Sequence, residues 1–293
     1  MSLIGLAPAS ADTIAADPLP VLGDVEFDAL ARIMQSDARI HLPSAKKTLV
    51  QSRLSRRLRT RGLDSFRGYV ALVERDAEER RLMVTALTTN HTHFFRENHH
   101  FEHLRATLLP RLQAMPATRP IRIWSAGCST GEEVYSIAMT LLGENAATAR
   151  WMQGRDVRLL ATDLSKPVVA ATEQGCYAAA TVEPIPAAHR TAWMAADGAG
   201  YRMIDAARRL VTARVLNLFE PWPMKHKYDA IFCRNVMIYF DDTAKAELEA
   251  RLVEQLAPDG FLYIGHSERL IGVAAERMRA CGQTIYMHRT GAD

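Results

Sequence analysis

Hydrophobic and polar positions change rhythm once along this chain. From residue 24 to about 109, apolar residues recur every three or four positions, the period of an amphipathic helix. Asp24 stands where it can cap a first helix carrying Phe27, Leu30, Ile33 and Met34. Ser44 is placed to cap a second, with the stripe Val50, Leu54 and Leu58. Ser65 opens a third with Phe66, Tyr69, Val70 and Leu72, and Leu82, Val84 and Leu87 mark a fourth. Residues 110–120 hold three prolines and read as a linker. From Ile121 apolar runs expected as strands (121–125, 157–162, 229–233, 261–265) alternate with expected helices at 132–142, 166–173 and 242–256. Such alternation predicts an α/β domain, a mostly parallel sheet with helices on both faces, over 121–288. Phe261–Ile264 and Thr284–Met287 are expected to bring in an antiparallel edge strand. Residues 176–215 break the rhythm, and Tyr201–Ile204 with Leu210–Val215 are read as paired strands of a small antiparallel insert.

Composition adds little to this plan. A length of 293 residues suits two domains, and 48% hydrophobic with 24% charged residues is ordinary for a globular protein. Residues 1–20 are rich in Ala and Pro, lack a basic segment and are read as a disordered leader, giving a helical domain at 21–109. No run approaches the roughly 18 apolar residues that span a bilayer. Four scattered cysteines with no C-x-x-C pair fit a reducing compartment, so the expected location is the cytoplasm.

The net charge of +3 excludes nothing, but its distribution is uneven. Between Lys46 and Arg67 lie eight basic residues and one acidic, Asp64. Arg53, Arg56 and Arg57 share a helix face away from the Val50–Leu54–Leu58 stripe. A solvated face usually mixes signs, whereas a face of one sign suits an acidic partner, nucleic acid or protein.

Candidate chemistry centres on Ile121-Arg-Ile-Trp-Ser-Ala-Gly-Cys-Ser-Thr-Gly-Glu-Glu133, a strand, a turn bracketed by Gly127 and Gly131, and a helix start. This is the layout of a nucleotide-binding βα turn. Glu132 and Glu133 would repel a pyrophosphate, yet suit a nucleoside bearing positive charge. S-adenosylmethionine, with a sulfonium and an ammonium group, is such a ligand. Asp163, at the carboxyl end of the next strand, either caps a helix or binds ribose hydroxyls, and its position one βαβ unit after the turn favours ribose. Arg234, Asn235 and Tyr239 interrupt an apolar run, as residues facing a site would. Asn90, Thr92 and Arg96 are spaced for one turn or loop to present them together, although Phe94 and Phe95 also fit a plain helix end. Five histidines lie nearby (His91, His93, His99, His100, His103). His99 and His103 have the spacing of a helical metal pair, but without an H-E-x-x-H order or a nearby Cys no metal is expected.

Together these segments resemble the chemotaxis receptor methyltransferases, the CheR family, from about residue 24 to 288. The matching motifs are Leu87-Thr-Thr-Asn-x-Thr-x-Phe-Phe-Arg-Glu97, Trp124-Ser-Ala-x-x-Ser-Thr-Gly-Glu-Glu133, Ile231-Phe-Cys-Arg-Asn-Val-Met-Ile-Tyr-Phe-Asp241 and Gly265-His-Ser-Glu268. The resemblance implies an S-adenosylmethionine-dependent protein-glutamate O-methyltransferase: an all-α N-terminal domain, a Rossmann-like methyltransferase domain and an inserted β subdomain. Its implied substrates are glutamates on the cytoplasmic helices of chemoreceptors and its products glutamyl methyl esters and S-adenosylhomocysteine. It implies cofactor contacts at Asn90, Thr92, Arg96, Glu133, Asp163, Asn217, Leu218, Arg234 and Asn235, with Arg96 and Tyr239 nearest the transferring methyl. Glu133 rather than Glu132 would take the methionine ammonium. Arg53, Arg56 and Arg57 would then dock the acidic methylation helices. Nucleic acid, direct membrane insertion and oligomerisation are not expected. Two departures stand out: His93 replaces a usually smaller residue, and the insert near Asp197-Gly-Ala-Gly-Tyr201 looks about three residues shorter than in members that grip a receptor-tail pentapeptide, so no such tether is expected.

The implied nucleophile is a glutamate carboxylate, ionised at neutral pH because its pKa is about 4.3. No general base is needed, and alignment of oxygen, methyl and sulfur is expected to contribute most, roughly 7–11 kcal/mol. The rivals are a nucleic-acid methyltransferase, against which the lack of an Asn/Asp-Pro-Pro-aromatic motif speaks, and a cofactor-binding module without turnover.

Overall fold

The computed structural model describes residues 20–88 and 91–289. Two compact units emerge, one running to Leu30 and resuming at Pro43–Met83, the other comprising Ala31–Leu42 and everything from Val84. No helix of the described residues is long and apolar enough to cross a membrane.

The first unit holds the start of α1 (Asp24–Ala38), then α2 (Lys47–Thr60), α3 (Phe66–Arg75) and most of α4 (Ala77–Leu87). Most of the expected stripe is its core: Phe27, Leu30, Val50, Leu54, Leu58, Phe66 and Tyr69 are buried, but in α3 the third buried position is Val73, while the expected Val70 and Leu72 are only partly buried. Ser65 caps α3, its hydroxyl accepting from Gly68 N at 3.4 Å. Two other expected caps differ. Asp24 is the first helical residue and its carboxylate holds Lys47 Nζ at 2.6 Å, and Ser44 lies in a 3-10 turn ahead of α2.

In the second unit the helical stretch breaks at residues 91–98 and resumes as α5 (His99–His103), a π-helical turn (Leu104–Leu108) and α6 (Leu109–Ala114). The expected boundary near 109 thus falls within continuous helix. Phe101, Leu104, Leu108 and Leu112 are buried in one core with the strands, so this segment packs with the sheet. Pro110 follows the π-helical turn directly and cannot donate back into it, so the helix departs from α geometry where that hydrogen bond is missing.

Next come β1 (Ile121–Ala126), α7 (Glu132–Leu142), β2 (Val157–Asp163), α8 (Lys166–Gln174), β3 (Cys176–Ala178), α9 (Ala187–Trp193), β4 (Met194–Asp197), β5 (Gly200–Met203), α10 (Asp205–Arg208), β6 (Val211–Val215), β7 (Tyr228–Cys233), α11 (Asp242–Gln255), β8 (Leu256–Ile264), α12 (Gly272–Arg277), β9 (Met278–Gly282) and β10 (Ile285–His288). The main sheet has the order β6-β2-β1-β7-β8-β10-β9, with the first five strands parallel and β10 and β9 each antiparallel to its predecessor in that order. Strand residues alternate between two cores, Ile123 and Phe232 facing α7 and Trp124 and Ile231 facing α11.

Two expectations need correction here. Leu210–Val215 is not part of the insert: β6 pairs in parallel with β2, Leu159 opposite Val211. The insert is a three-stranded antiparallel sheet, β3-β5-β4, and it closes before β6. Its two ends are pinned together, Met203 N donating to Gly175 O at 2.9 Å. At the other margin β10 is antiparallel as expected, but the edge belongs to β9.

Candidate functional site

From β1 the chain steps outward to β2 and β6, then returns to β7 on the other side of β1. The carboxyl ends of β1 and β7 therefore flank a topological switch point, where open α/β sheets bind ligands. The β1 end carries the glycine turn. Gly127 (φ 80°) and Gly131 (φ 97°) are left-handed. A Cβ at Gly127 would collide with Val236, and one at Gly131 would lie 2.9 Å from both Thr172 Oγ1 and Tyr177 OH. Only glycine fits such a backbone.

The turn's amides are consumed internally. Gly127 N and Cys128 N donate to Thr162 O at 2.8 and 2.9 Å, and Ser129 N donates to Asp163 Oδ2 at 3.0 Å. Asp163 Oδ1 takes Ser165 N at 2.9 Å, and burial pushes this carboxyl above its ordinary range against these amides. The turn thus lacks the open nest of amides that grips phosphate.

Negative charge gathers beside it. All of α7 is buried, its two acids included. Glu132 accepts from Thr130 Oγ1 at 2.7 Å. Glu133 accepts from Ser125 Oγ at 2.6 Å and from Arg234 Nη1 at 3.1 Å, and burial raises its carboxyl despite that guanidinium. Arg234, at the end of β7, has a side chain only 2% exposed. Its Nη2 stands 3.3 Å from Glu97 Oε2 and also donates to Arg96 O. Burial works against ionised Glu97, but Arg234 and His266 outweigh it and hold the carboxyl down to about 2. One guanidinium therefore serves two carboxyl groups, of which Glu97 is held ionised. Arg234 Nε and Asn235 Nδ2 are buried with no hydrogen-bond partner among the described residues. A cationic nucleoside fits this chemistry: the pocket wall is anionic and holds unspent donors, and the turn offers phosphate nothing.

The segment bearing Arg96 is docked onto α7, Phe95 N donating to Ser136 Oγ at 2.9 Å, and Arg96 Nη1 reaches His91 O at 3.0 Å. Phe95 and Glu97, on either side of Arg96, have φ of 55°. Of six non-glycine residues with positive φ among the described residues, Phe95, Glu97, Ser129 and Asn235 lie here, as strain concentrated at a functional site would.

Arg96, Glu133, Asp163, Arg234 and Asn235 are thus brought together, with Thr92 half-buried on the Arg96 segment. Asn90 lies outside the described residues. A second group forms where Asn217 Nδ2 donates to Asp37 O at 2.8 Å, Leu218 is buried and Phe219 stacks edge-on with Phe240. Tyr239 belongs to it, its carbonyl accepting from His41 N at 2.9 Å.

The basic face of α2 needs revision. Arg57 donates through Nε and Nη2 to the fully buried Glu79 at 2.9 and 2.5 Å, and Arg61 Nε and Tyr69 OH join at 2.6 and 2.9 Å. Burial opposes ionisation of Glu79, but these partners prevail and hold its carboxyl below the ordinary range. Arg57 is therefore a structural ion-pair partner, and of the three expected arginines Arg53 is partly exposed and Arg56 exposed.

Glu97 is the site residue that sequence reasoning missed. It stood inside a quoted motif without a role, and only the fold brings it to Arg234. Glu97, His99 and His100 offer atoms within 4.8 Å of one another, the spacing of metal ligands. However, Arg234 and His266 already occupy Glu97, while His99 Nε2 and His100 Nε2 contact Gln283 O and Thr284 Oγ1. His103, which has the helical spacing to His99, contacts Tyr263 OH through Nδ1 at 3.0 Å.

Residues 25–88 match the CheR methyltransferase all-alpha domain, and residues 90–287 match the CheR methyltransferase SAM binding domain. The chain belongs to the CheR methyltransferase family. Its cofactor is S-adenosylmethionine, and the CheR division at 88/90 agrees with the packing of α5 and α6 against the sheet. A probable chemotaxis protein methyltransferase of Rhizobium etli is 43% identical over 88% of this chain and 97% of its own length. Chemotaxis protein methyltransferase 2 of Pseudomonas aeruginosa is 40% identical over 92% and 97%. The chemotaxis protein methyltransferase of Salmonella typhimurium is 36% identical over 90% of each chain. Among solved structures, an S-adenosylmethionine-dependent methyltransferase from Mesorhizobium loti aligns over 56% of this chain and 54% of its own, at 14% identity and a TM-score of 0.27, too slight a likeness to bear on CheR.

Proposed function

We propose that this chain methylates glutamate side chains on the cytoplasmic helices of chemoreceptors, giving glutamyl methyl esters. The observation that carries this reading is the similarity, along both domains, to chemotaxis protein methyltransferases. When bound, S-adenosylmethionine supplies an electrophilic methyl group on a sulfonium. The chain's task is then to bind, orient and exclude water. Glu133 and Glu97 make the Arg234 neighbourhood anionic and hold a cation, Asp163 stiffens the glycine turn and faces ribose, and Arg96 orients a carboxylate. No residue needs to act as base, since the attacking glutamate is already ionised.

The protein acts as a cytoplasmic monomer on receptor helices and not on nucleic acid. Arg53 and Arg56 dock acidic helices. No pentapeptide tether is used, a reading supported by the two-residue turn Gly198–Ala199 joining β4 to β5, which leaves no loop beyond the hairpin.

The test is methyl transfer from labelled cofactor, comparing receptor cytoplasmic fragments with RNA and DNA. Base-labile label on the receptor fragment is expected, and label on nucleic acid alone would overturn the reading. Calorimetry with a receptor-tail pentapeptide should give no low-micromolar binding; such binding would restore the tether.

A further inference from the structure

Glu268 is buried, 2% exposed, on the connection after β8. It faces no cation. Every hydrogen bond it receives among the described residues comes from a backbone amide. Its Oε2 accepts from Asn235 N at 3.0 Å and Gly265 N at 2.6 Å, and its Oε1 from Met237 N at 2.9 Å and Ile238 N at 3.3 Å. Three of these amides belong to the turn that leaves β7 immediately after Arg234. A carboxylate without a counter-charge, satisfied by four amide dipoles, is a costly anchor to bury, and it is spent on this one turn.

The turn needs an anchor. Asn235 has φ 58°, a conformation that costs a non-glycine residue free energy and persists only when its surroundings impose it. Gly265 is part of the same device: a Cβ there would lie 2.7 Å from Asn235 N and 2.9 Å from Glu268 Oε2. The next residue, Val236, is the one a side chain at Gly127 would strike, so the turn seats directly on the glycine turn of β1.

We infer that Glu268 is a positioning residue for cofactor binding: it clamps the Asn235–Ile238 turn against Gly127 and so sets Arg234 and Asn235 in register with Glu133 across the switch point. The inference rests on the placement of the cofactor beside these residues, not on the identity of the methyl acceptor. S-adenosylhomocysteine binding is therefore its readout, distinct from receptor methylation.

Glu268→Gln keeps size and shape but turns one oxygen into a donor facing amide donors. By calorimetry the full-length variant should bind S-adenosylhomocysteine at least tenfold more weakly, with an unfolding midpoint within a few degrees of the parent. Amide exchange should quicken at Asn235, Met237 and Ile238 but not along β1. Gly265→Ala, which leaves the carboxylate in place and displaces the turn, should reproduce the loss. In the unsubstituted protein the same three amides should exchange slowly even without ligand, a measurement independent of any variant's folding. Parental affinity in folded Glu268→Gln or Gly265→Ala, or fast exchange of those amides in the unsubstituted protein, would overturn the inference.

Discussion

Two buried arginine–carboxylate clusters in this chain have opposite stoichiometry. In the first unit the single carboxylate of Glu79 receives Arg57, Arg61 and the Tyr69 hydroxyl. In the second, the single guanidinium of Arg234 serves both Glu97 and Glu133, and its Nε has no partner among the described residues. The Glu79 side chain is fully buried, but its arginines remain 21% and 38% exposed and reach water. That cluster is closed and structural. The Arg234 cluster has surplus acid and unspent donors, and strained residues surround it. Saturation marks a joint of the fold, while imbalance marks a place where something else is meant to bind.

Breaking each cluster should sharpen the contrast. The largest effect is expected at Arg96→Ala, which should nearly abolish methyl transfer with the unfolding midpoint preserved; near-parental rates would remove Arg96 from the site. Arg234→Ala leaves two buried carboxylates facing each other and should cost about 3–5 kcal/mol of stability as well as S-adenosylhomocysteine binding. Denaturant titration with calorimetry checks both. Glu79→Ala strands two arginines that can turn to solvent, so the cost should be smaller, about 1–3 kcal/mol, with cofactor affinity unchanged. A lost affinity there would show that the two clusters are not separable.

The next effect is one of pH. Burial, aided by Arg234, holds His100 neutral down to about 3, whereas in the unfolded chain it takes up a proton near 6.5. Between these values the unfolded state binds the extra proton, so stability falls as the pH drops, by up to about 1.4 kcal/mol per pH unit. His100→Asn should flatten that slope in denaturant titrations between pH 6 and 4, and an unchanged slope would mean that His100 titrates in the folded state. The smallest effect is expected at Arg56→Glu, which should weaken receptor methylation at low salt more than at high salt without altering cofactor affinity.

Much of this was legible in the sequence. The helix 132–142 and the parallel strands follow from period and punctuation, and the glycine turn declares itself because only glycine tolerates its backbone. What stayed hidden is long-range. Val211–Val215 reads as a strand, but nothing local says whether its partner is Tyr201 or Leu159. Arg57 looks like its neighbours Arg53 and Arg56 until the fold brings Glu79 beneath it, 22 residues away. Glu97 and Glu268 show no period or spacing that reveals a role, because their partners lie on β7 and the turn after it.

The pinned ends of the β insert have an evolutionary consequence. Entry at Gly175 and exit at Met203 meet through a backbone hydrogen bond, and the chain rejoins the sheet only at β6. The body of the insert is packed into the main core, Tyr177 OH donating to Thr130 O beside the glycine turn and Trp193 Nε1 to Gly143 O, but the hairpin tip at Gly198 stands clear and can be lengthened or shortened without moving a strand of the main sheet. Lineages of this fold could thus revise what they recognise while the chemistry beside Arg234 is inherited unchanged.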